Sequence, residues 1–177
     1  MTPEIRQVPY DHPDARLLVE RVQEYYLRIY GGRDDDPTEA AMFTPPSGAF
    51  FVGYVDGVPV TTGAWRGAGV PALGTTRTAE LKRMYVVPEQ GRRGYARRML
   101  AHLEDAAAAA GYEALVLSTG PAQHEAIALY RSAGYVDVEP FGFYGTREFA
   151  DVAITFLGKP LPSSTVTALA APAGGTA

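Results

Sequence analysis

The stretch ELKRMYVVPEQGRRGYARRML, Glu80 to Leu100, decides how this chain folds. A Tyr-Val-Val run stops at Pro88, because proline cannot donate to a β-ladder. Two glycines (Gly91, Gly94) and four arginines (Arg92, Arg93, Arg97, Arg98) then crowd the turn and the residues after it. From Arg93 to Ala110 the apolar residues Tyr95, Ala96, Met99, Leu100, Leu103, Ala107 and Ala110 recur at three and four, the period of a half-buried helix, and Gly111 supplies a left-handed cap. A strand, a glycine turn and a helix in that order aim unpaired backbone N–H groups at one point, where the helix dipole adds about half a positive charge. The junction is an anion site: the glycines let the backbone approach closely, and Arg92 and Arg93 add charge-assisted donors. A glycine-eased turn with solvated arginines is the plainer alternative.

Working outward, residues 4 to 8 suit a short first strand. HPDARLLVERVQEYYLRIYGG, with Leu18, Val22, Tyr25 and Ile29 at helical spacing, predicts an amphipathic helix closing on glycines. Residues 31 to 47 mix acids, prolines and glycine and read as a long connection with one helical turn. In AFFVGYVDGVPVTTGAW, two strand-like runs flank Asp56-Gly57, a hairpin signal that needs positive φ at both turn residues. TAELKRMYVV continues as a strand. After the helix, EALVLST predicts a buried strand, AQHEAIALYRSAG a helix with Ala126, Leu129, Tyr130 and Ala133 on one face, and YVDVEP a short strand. A last strand is expected over Glu148 to Phe156. The order predicts an α/β fold, a mixed and mostly antiparallel central sheet with helices on both faces. One domain over 1–159 is expected, and 160–177, small, polar and bearing Pro and Gly, reads as a flexible tail.

The chain has 177 residues, 46% hydrophobic and 20% charged, enough for one buried core. Its formal charge is −4, yet six of the sixteen Lys and Arg residues fall between Lys82 and Arg98, where Glu89 is the lone acid. A mildly acidic whole with one basic focus argues against a nucleic-acid surface and for a small anionic ligand. Cysteine is absent, which removes thiolate metal sites and cysteine nucleophiles. His12, His102 and His124 have no metal-ligand spacing, so no metal is expected. No apolar run is long enough for a membrane span, and a cytoplasmic protein is expected.

The loop lacks the Lys-Ser/Thr pair of a nucleoside-triphosphate loop, having Tyr95-Ala96 there, and lacks the G-x-G-x-x-G order of a dinucleotide site. Across residues 48 to 158, and most specifically 80 to 142, ELKRMYVVPEQGRRGYARRML with STGPAQHEAIALYRSAGYVDVEPFG resembles the GNAT superfamily of acyl-CoA-dependent N-acyltransferases. The family loop, Gln/Arg-x-x-Gly-x-Gly/Ala, falls on Gly91-Arg92-Arg93-Gly94-Tyr95-Ala96; its fourth and sixth positions match, and Gly91 departs from the first. The resemblance implies that this loop grips the diphosphate of acetyl-CoA and that the backbone of Met84, Tyr85 and Val86 pairs with the pantetheine arm where the sheet splays open. Gln123 stands where many relatives place a cofactor-contacting asparagine.

The same resemblance implies Tyr130 as the acid that protonates the departing thiolate, beside a plain packing role on a core-facing position. A phenol with a pKa of about 10 is protonated at neutral pH. Holding a lysine-like amine neutral at pH 7 costs about 4.6 kcal/mol, so a base or a water chain is needed. The resemblance implies Glu80 as the candidate, since it lies eleven residues ahead of the loop motif as the general-base glutamate does in some members of that family, against a strand-end carboxylate paired with Lys82 or Arg83. The backbone N–H near Met84 is the implied oxyanion donor. Asp34-Asp35-Asp36 reads as a solvated run that could draw a cationic amine, and Tyr25, Tyr26, Tyr30, Phe141, Phe143 and Tyr144 as candidate walls of an acceptor pocket. The expected activity is acetyl transfer from acetyl-CoA to a primary amine of a small molecule or peptide. The alternatives are a silent acyl-CoA sensor on the same fold and a protein binding another nucleotide. Neither nucleic acid nor membrane is an expected partner, and a homodimer stays open.

Overall fold

The computed structural model describes residues 1–163. Seven strands, β1 (Glu4–Gln7), β2 (Gly48–Val55), β3 (Val58–Gly67), β4 (Thr78–Val86), β5 (Ala114–Thr119), β6 (Val136–Asp137) and β7 (Thr155–Pro160), form one sheet in the order β1-β2-β3-β4-β5-β7-β6. Every neighbouring pair among these strands is antiparallel except β4 with β5. The helices are α1 (Pro13–Tyr30), α2 (Tyr95–Ala109) and α3 (His124–Ser132).

Alternation along β2 explains the layers. Phe50, Val52 and Tyr54 pack with Ala15 and Leu18 of α1, whereas Ala49 and Phe51 pack with Met99, Leu100 and Leu103 of α2. Successive strand residues face opposite sides, so one strand serves two cores. Tyr130 of α3 joins the α2 side, and the helices therefore cover both faces. Asp56 and Gly57 turn the β2–β3 hairpin at φ of 50° and 76°, as the Asp-Gly signal requires. The helical turn expected between 31 and 47 is Ala40–Phe43.

The start of α2 and the last strand differ from the sequence expectation, and α3 (His124–Ser132) and β6 (Val136–Asp137) are shorter than the segments it marked. Helix α2 begins at Tyr95 rather than Arg93, because Arg92 and Gly94 both lie in the left-handed region (φ 59° and 79°) and helical geometry cannot start before them. The last strand spans Thr155–Pro160 rather than Glu148 to Phe156; Arg147–Phe149 is instead a 3-10 turn. Phe143, Tyr144 and Phe149 pack on one another with ring centroids 5.0 to 5.2 Å apart, a cluster that a turn permits and a strand would splay. Leu161 is buried and its N–H donates to the Glu113 carbonyl at 2.8 Å. The rest of the expected tail, from residue 164 on, lies outside the described residues. Among the described residues no helix is long and apolar enough to cross a membrane.

Candidate active site

Strands β4 and β5 pair only at Thr78–Ala114, Ala79–Leu115 and Glu80–Val116 and then part. The cause is a bulge. Thr62 of β3 faces Tyr85 but Ala64 faces Lys82, so β4 carries an extra residue there, and Arg83 takes a left-handed φ of 57°. A bulge bends the strand that bears it, and β4 swings away from β5, which keeps its pairing to β7 through Thr119. The gap is a slot of about 50 Å³ lined by Leu81 to Met84 of β4 and Leu117 to Thr119 of β5, with Tyr26, Asp34, Gln123 and Tyr130 closing it.

Tyr130 is 5% exposed, its ring 5.6 Å from that of Tyr135. Among the described residues its hydroxyl has no hydrogen-bond partner. Burial, aided by Tyr26, pushes the phenol well above its ordinary range, so it holds its proton. Met84 lines the slot, and Tyr85 and Val86 follow it on the strand edge that β5 has left. The Tyr85 carbonyl also accepts from the Thr61 hydroxyl at 2.8 Å, across β3.

Gly91, Arg92, Arg93 and Gly94 are exposed. No side chain caps the N-terminus of α2, so its first N–H groups keep no protein partner from that source. A Cβ at Gly94 would meet nothing within 4 Å, which leaves open space over those amides. Tyr95 is 2% exposed and packs with Val87 and Phe50; its side chain anchors the helix, and only its backbone faces the loop. Ala96 is half-buried beside it. Arg97 donates to Ser132 Oγ at 2.6 Å and ties α2 to α3.

Glu80 is 8% exposed, and the sequence assignment of its partner needs correcting. Its Oε2 accepts from Arg66 Nε at 2.9 Å, not from Lys82 or Arg83. Those two serve the loop acids: Lys82 Nζ lies 2.7 Å from Asp36 Oδ2 and 3.6 Å from Asp34 Oδ2, and Arg83 Nη1 lies 2.7 Å from Asp34 Oδ2. Arg66 Nη2 also reaches Asp36 Oδ2 at 2.6 Å. Asp34 and Asp36 are therefore not a solvated run; three acids and three cations form a buried lattice at the fork of β4 and β5. The Asp34 carboxyl is pushed up by burial, but Lys82, Arg83, the Tyr144 hydroxyl and the Asp36 amide outweigh that and hold it below the ordinary range. Among the described residues no group of three His, Cys, Asp or Glu is arranged to hold a metal ion.

Two cavities flank this lattice. The first, about 380 Å³, adjoins the slot, with Tyr26, Tyr30, Tyr144 and Phe149 around Lys82 and Asp35. The second, about 610 Å³, holds Glu80, Arg66, Phe141 and Phe143. Of the six aromatics named from sequence, Tyr26, Tyr30 and Tyr144 thus reach the slot side, Phe141 and Phe143 the other, and Tyr25 stacks beside Tyr26 at 6.0 Å. Sequence reasoning missed Arg66, whose partners lie 14 and 30 residues away. It also missed Phe149, hidden by the misplaced strand.

Tyr30 rests on Gly120, where a Cβ would lie 2.3 Å from its hydroxyl oxygen and 2.6 Å from its Cζ. Its phenol is raised by burial and lowered in part by hydrogen bonding to Gln123 and the Ala122 backbone. Gln123 lies near Tyr30 in the wall of the first cavity. Gly120→Ala is expected to push the Tyr30 ring aside while changing stability by no more than about 0.5 kcal/mol, since the obstacle is the far end of a side chain. A thermal melt with acceptor KM measurements checks this: an unchanged KM would show that Tyr30 does not shape the acceptor's site.

The acetyltransferase (GNAT) family model matches residues 18–135. An IAA acetyltransferase of Azospirillum brasilense is 35% identical over 145 residues, 81% of this chain and 88% of its own. A Klebsiella pneumoniae chain provisionally named an acyl-CoA N-acyltransferase superposes with a TM-score of 0.71 at 24% identity, over 90% of this chain and 97% of that one. A Salmonella typhimurium chain solved with its cofactor acetyl-CoA gives 0.68 at 20% identity, over 97% and 98%. At those identities the two structures speak for the fold. The family match, which spans more than half of the chain, and the Azospirillum relative carry the rest: this chain is an acyltransferase and belongs to the acetyltransferase (GNAT) family.

Proposed function

We propose that the protein moves an acetyl group from acetyl-CoA to a primary amine by direct attack in a ternary complex. The observation that carries this is the slot between β4 and β5, opened by the Arg83 bulge, with the unpartnered Tyr130 hydroxyl in its wall and the uncapped N-terminus of α2 beyond its end. Amides of Gly91 to Ala96, with Arg92 and Arg93, hold the diphosphate, and the edge of β4 from Met84 to Val86 pairs with the pantetheine arm. Gln123 steadies the slot's mouth through Tyr30.

The chemistry balances without an enzyme-bound intermediate, and the chain has no cysteine to form a thioester of its own. The amine nitrogen bonds to the thioester carbon, and the Met84 N–H stabilises the oxyanion. The carbon–sulfur bond then breaks, Tyr130 gives its proton to the thiolate, and the nitrogen's surplus proton leaves toward Glu80. Because Oε2 of Glu80 is held by Arg66 and the residue lines the neighbouring cavity, that proton travels through water to Oε1.

Glu80→Gln is expected to lower kcat/KM about tenfold near pH 7. The deficit should shrink as pH rises toward the amine's own pKa, since more acceptor then arrives neutral. A deficit that stayed constant with pH would assign Glu80 to its ion pair alone. The proposal as a whole is tested by calorimetry with coenzyme A and by thiol release from acetyl-CoA over a panel of amines. No heat of binding and no release with any amine would remove it.

A further inference from the structure

The acceptor's chemical class is written in the charge balance of the cavity that opens onto the slot, an inference that rests on the acetyl-transfer reading above. Slot and cavity share Tyr26, Asp34, Lys82 and Gln123, so a molecule seated in the cavity presents its near end to the slot. The cavity walls are the rings of Tyr26, Tyr30, Tyr144 and Phe149 with Val152 and Ile154. Those surfaces suit a flat apolar group, and the tyrosine faces also attract a cation.

The charges around that cavity are spent on one another, save one. Arg33 forks onto Glu20 with bonds of 2.9 and 2.8 Å. Lys82 is matched by Asp36 at 2.7 Å, and Asp34 by Arg83 at 2.7 Å and by the Tyr144 hydroxyl at 2.5 Å. Arg83 keeps one unpartnered buried donor, Nε, but this residue lines the slot and not the cavity. Asp35 is the exception: the residue is exposed at the rim, its backbone lies by the Tyr144 hydroxyl, and among the described residues its carboxylate makes no hydrogen bond or ion pair. The unspent charge is thus a single negative one. A carboxylate on the ligand would find no unspent cation in the cavity, and a polyamine would find one acid where it needs several.

We propose that the acceptor is an arylalkylamine with no carboxylate on its ring, its ring held among Tyr30, Phe149, Val152 and Ile154 and its nitrogen, drawn past Asp35, delivered to the slot. The probes are phenethylamine, 4-(2-aminoethyl)benzoate and spermidine, each assayed for thiol release with acetyl-CoA and the full chain. Phenethylamine is expected to exceed the other two in kcat/KM by about tenfold or more, the worth of one well-packed ring or one unpaired charge. Phe149→Ala should raise its KM about tenfold, and Asp35→Asn about two- to fivefold, as for an exposed ion pair. Coenzyme A binding measured calorimetrically should stay the same in both variants, which shows that they fold. Equal or better turnover of 4-(2-aminoethyl)benzoate or spermidine, or an unchanged KM in both variants, overturns the proposal while leaving acetyl transfer standing. No release with any amine removes both.

Discussion

Arg66→Met is expected to destabilise the chain by about 3 to 5 kcal/mol, the usual cost of leaving a buried charge without its partner. Arg66 is bound by Asp36 at 2.6 Å and by Glu80 at 2.8 Å, and its Nη1 also donates to the Pro37 carbonyl at 3.1 Å. Methionine keeps most of the stem and removes all of the donors. Asp34, Asp36 and Glu80 then face only Lys82 and Arg83, and one negative charge is buried in surplus. For a chain of this length the melting temperature should fall by roughly 6 to 20 °C. The control is the double variant with Glu80→Gln, which removes the surplus charge and should restore about 0.5 to 3 kcal/mol. If the double variant melted no higher than Arg66→Met, the loss would come from detaching the 36–42 loop and not from charge.

The same lattice sets the response to acid. The folded Asp34 carboxyl sits below its ordinary range, so it binds a proton more weakly folded than unfolded. Its contribution is therefore complete above the unfolded pKa of about 3.9 and is lost as pH falls through the lower, folded value. Stability should hold from neutral pH to about 4 and decline below it, with the decline displaced in Asp34→Asn.

Much of this architecture can be read from short-range signals. The helix over 95–109 and the β2–β3 hairpin follow from periodicity and from Asp56-Gly57, because the forces that fix them act between residues a few positions apart. The slot is another matter. It depends on Arg83 taking a left-handed φ, which nothing in Leu-Lys-Arg-Met demands; the conformation is bought by the Asp34 and Thr38 partners of its guanidinium, 49 and 45 residues away. The three aspartates show the same limit. Their sequence is that of a solvated run, and only the placement of Lys82, Arg83 and Arg66 along two strands turns two of them inward. Phe149 was hidden for a related reason: the strand expected over Glu148 to Phe156 includes it, and its packing on Phe143 and Tyr144, whose hydroxyl donates to Asp34 across 110 residues, leaves no local signal.

The second large effect is expected at Tyr130. Tyr130→Phe should lower kcat by about a hundredfold, the low end of what a positioned general acid supplies, and leave coenzyme A binding by calorimetry unchanged. A structural role predicts the opposite pattern. Phenylalanine keeps the ring against Tyr135 and the α2 face, and the hydroxyl it removes lines the slot and has no partner among the described residues, so stability should hold. The buried phenol is held protonated far beyond neutral pH, hence the pH profile of the native enzyme should show no limb from Tyr130 itself. A sharper signature comes from the leaving group. An acyl donor whose thiol is more acidic than an ordinary thiol, near 8.5, needs less help from an acid. The ratio of native to variant rates should therefore shrink along a series of increasingly acidic thioesters. Equal kcat in the two proteins, or a ratio that ignores the thiol's acidity, would return Tyr130 to the core as a packing residue and leave the departing sulfur to be protonated by solvent.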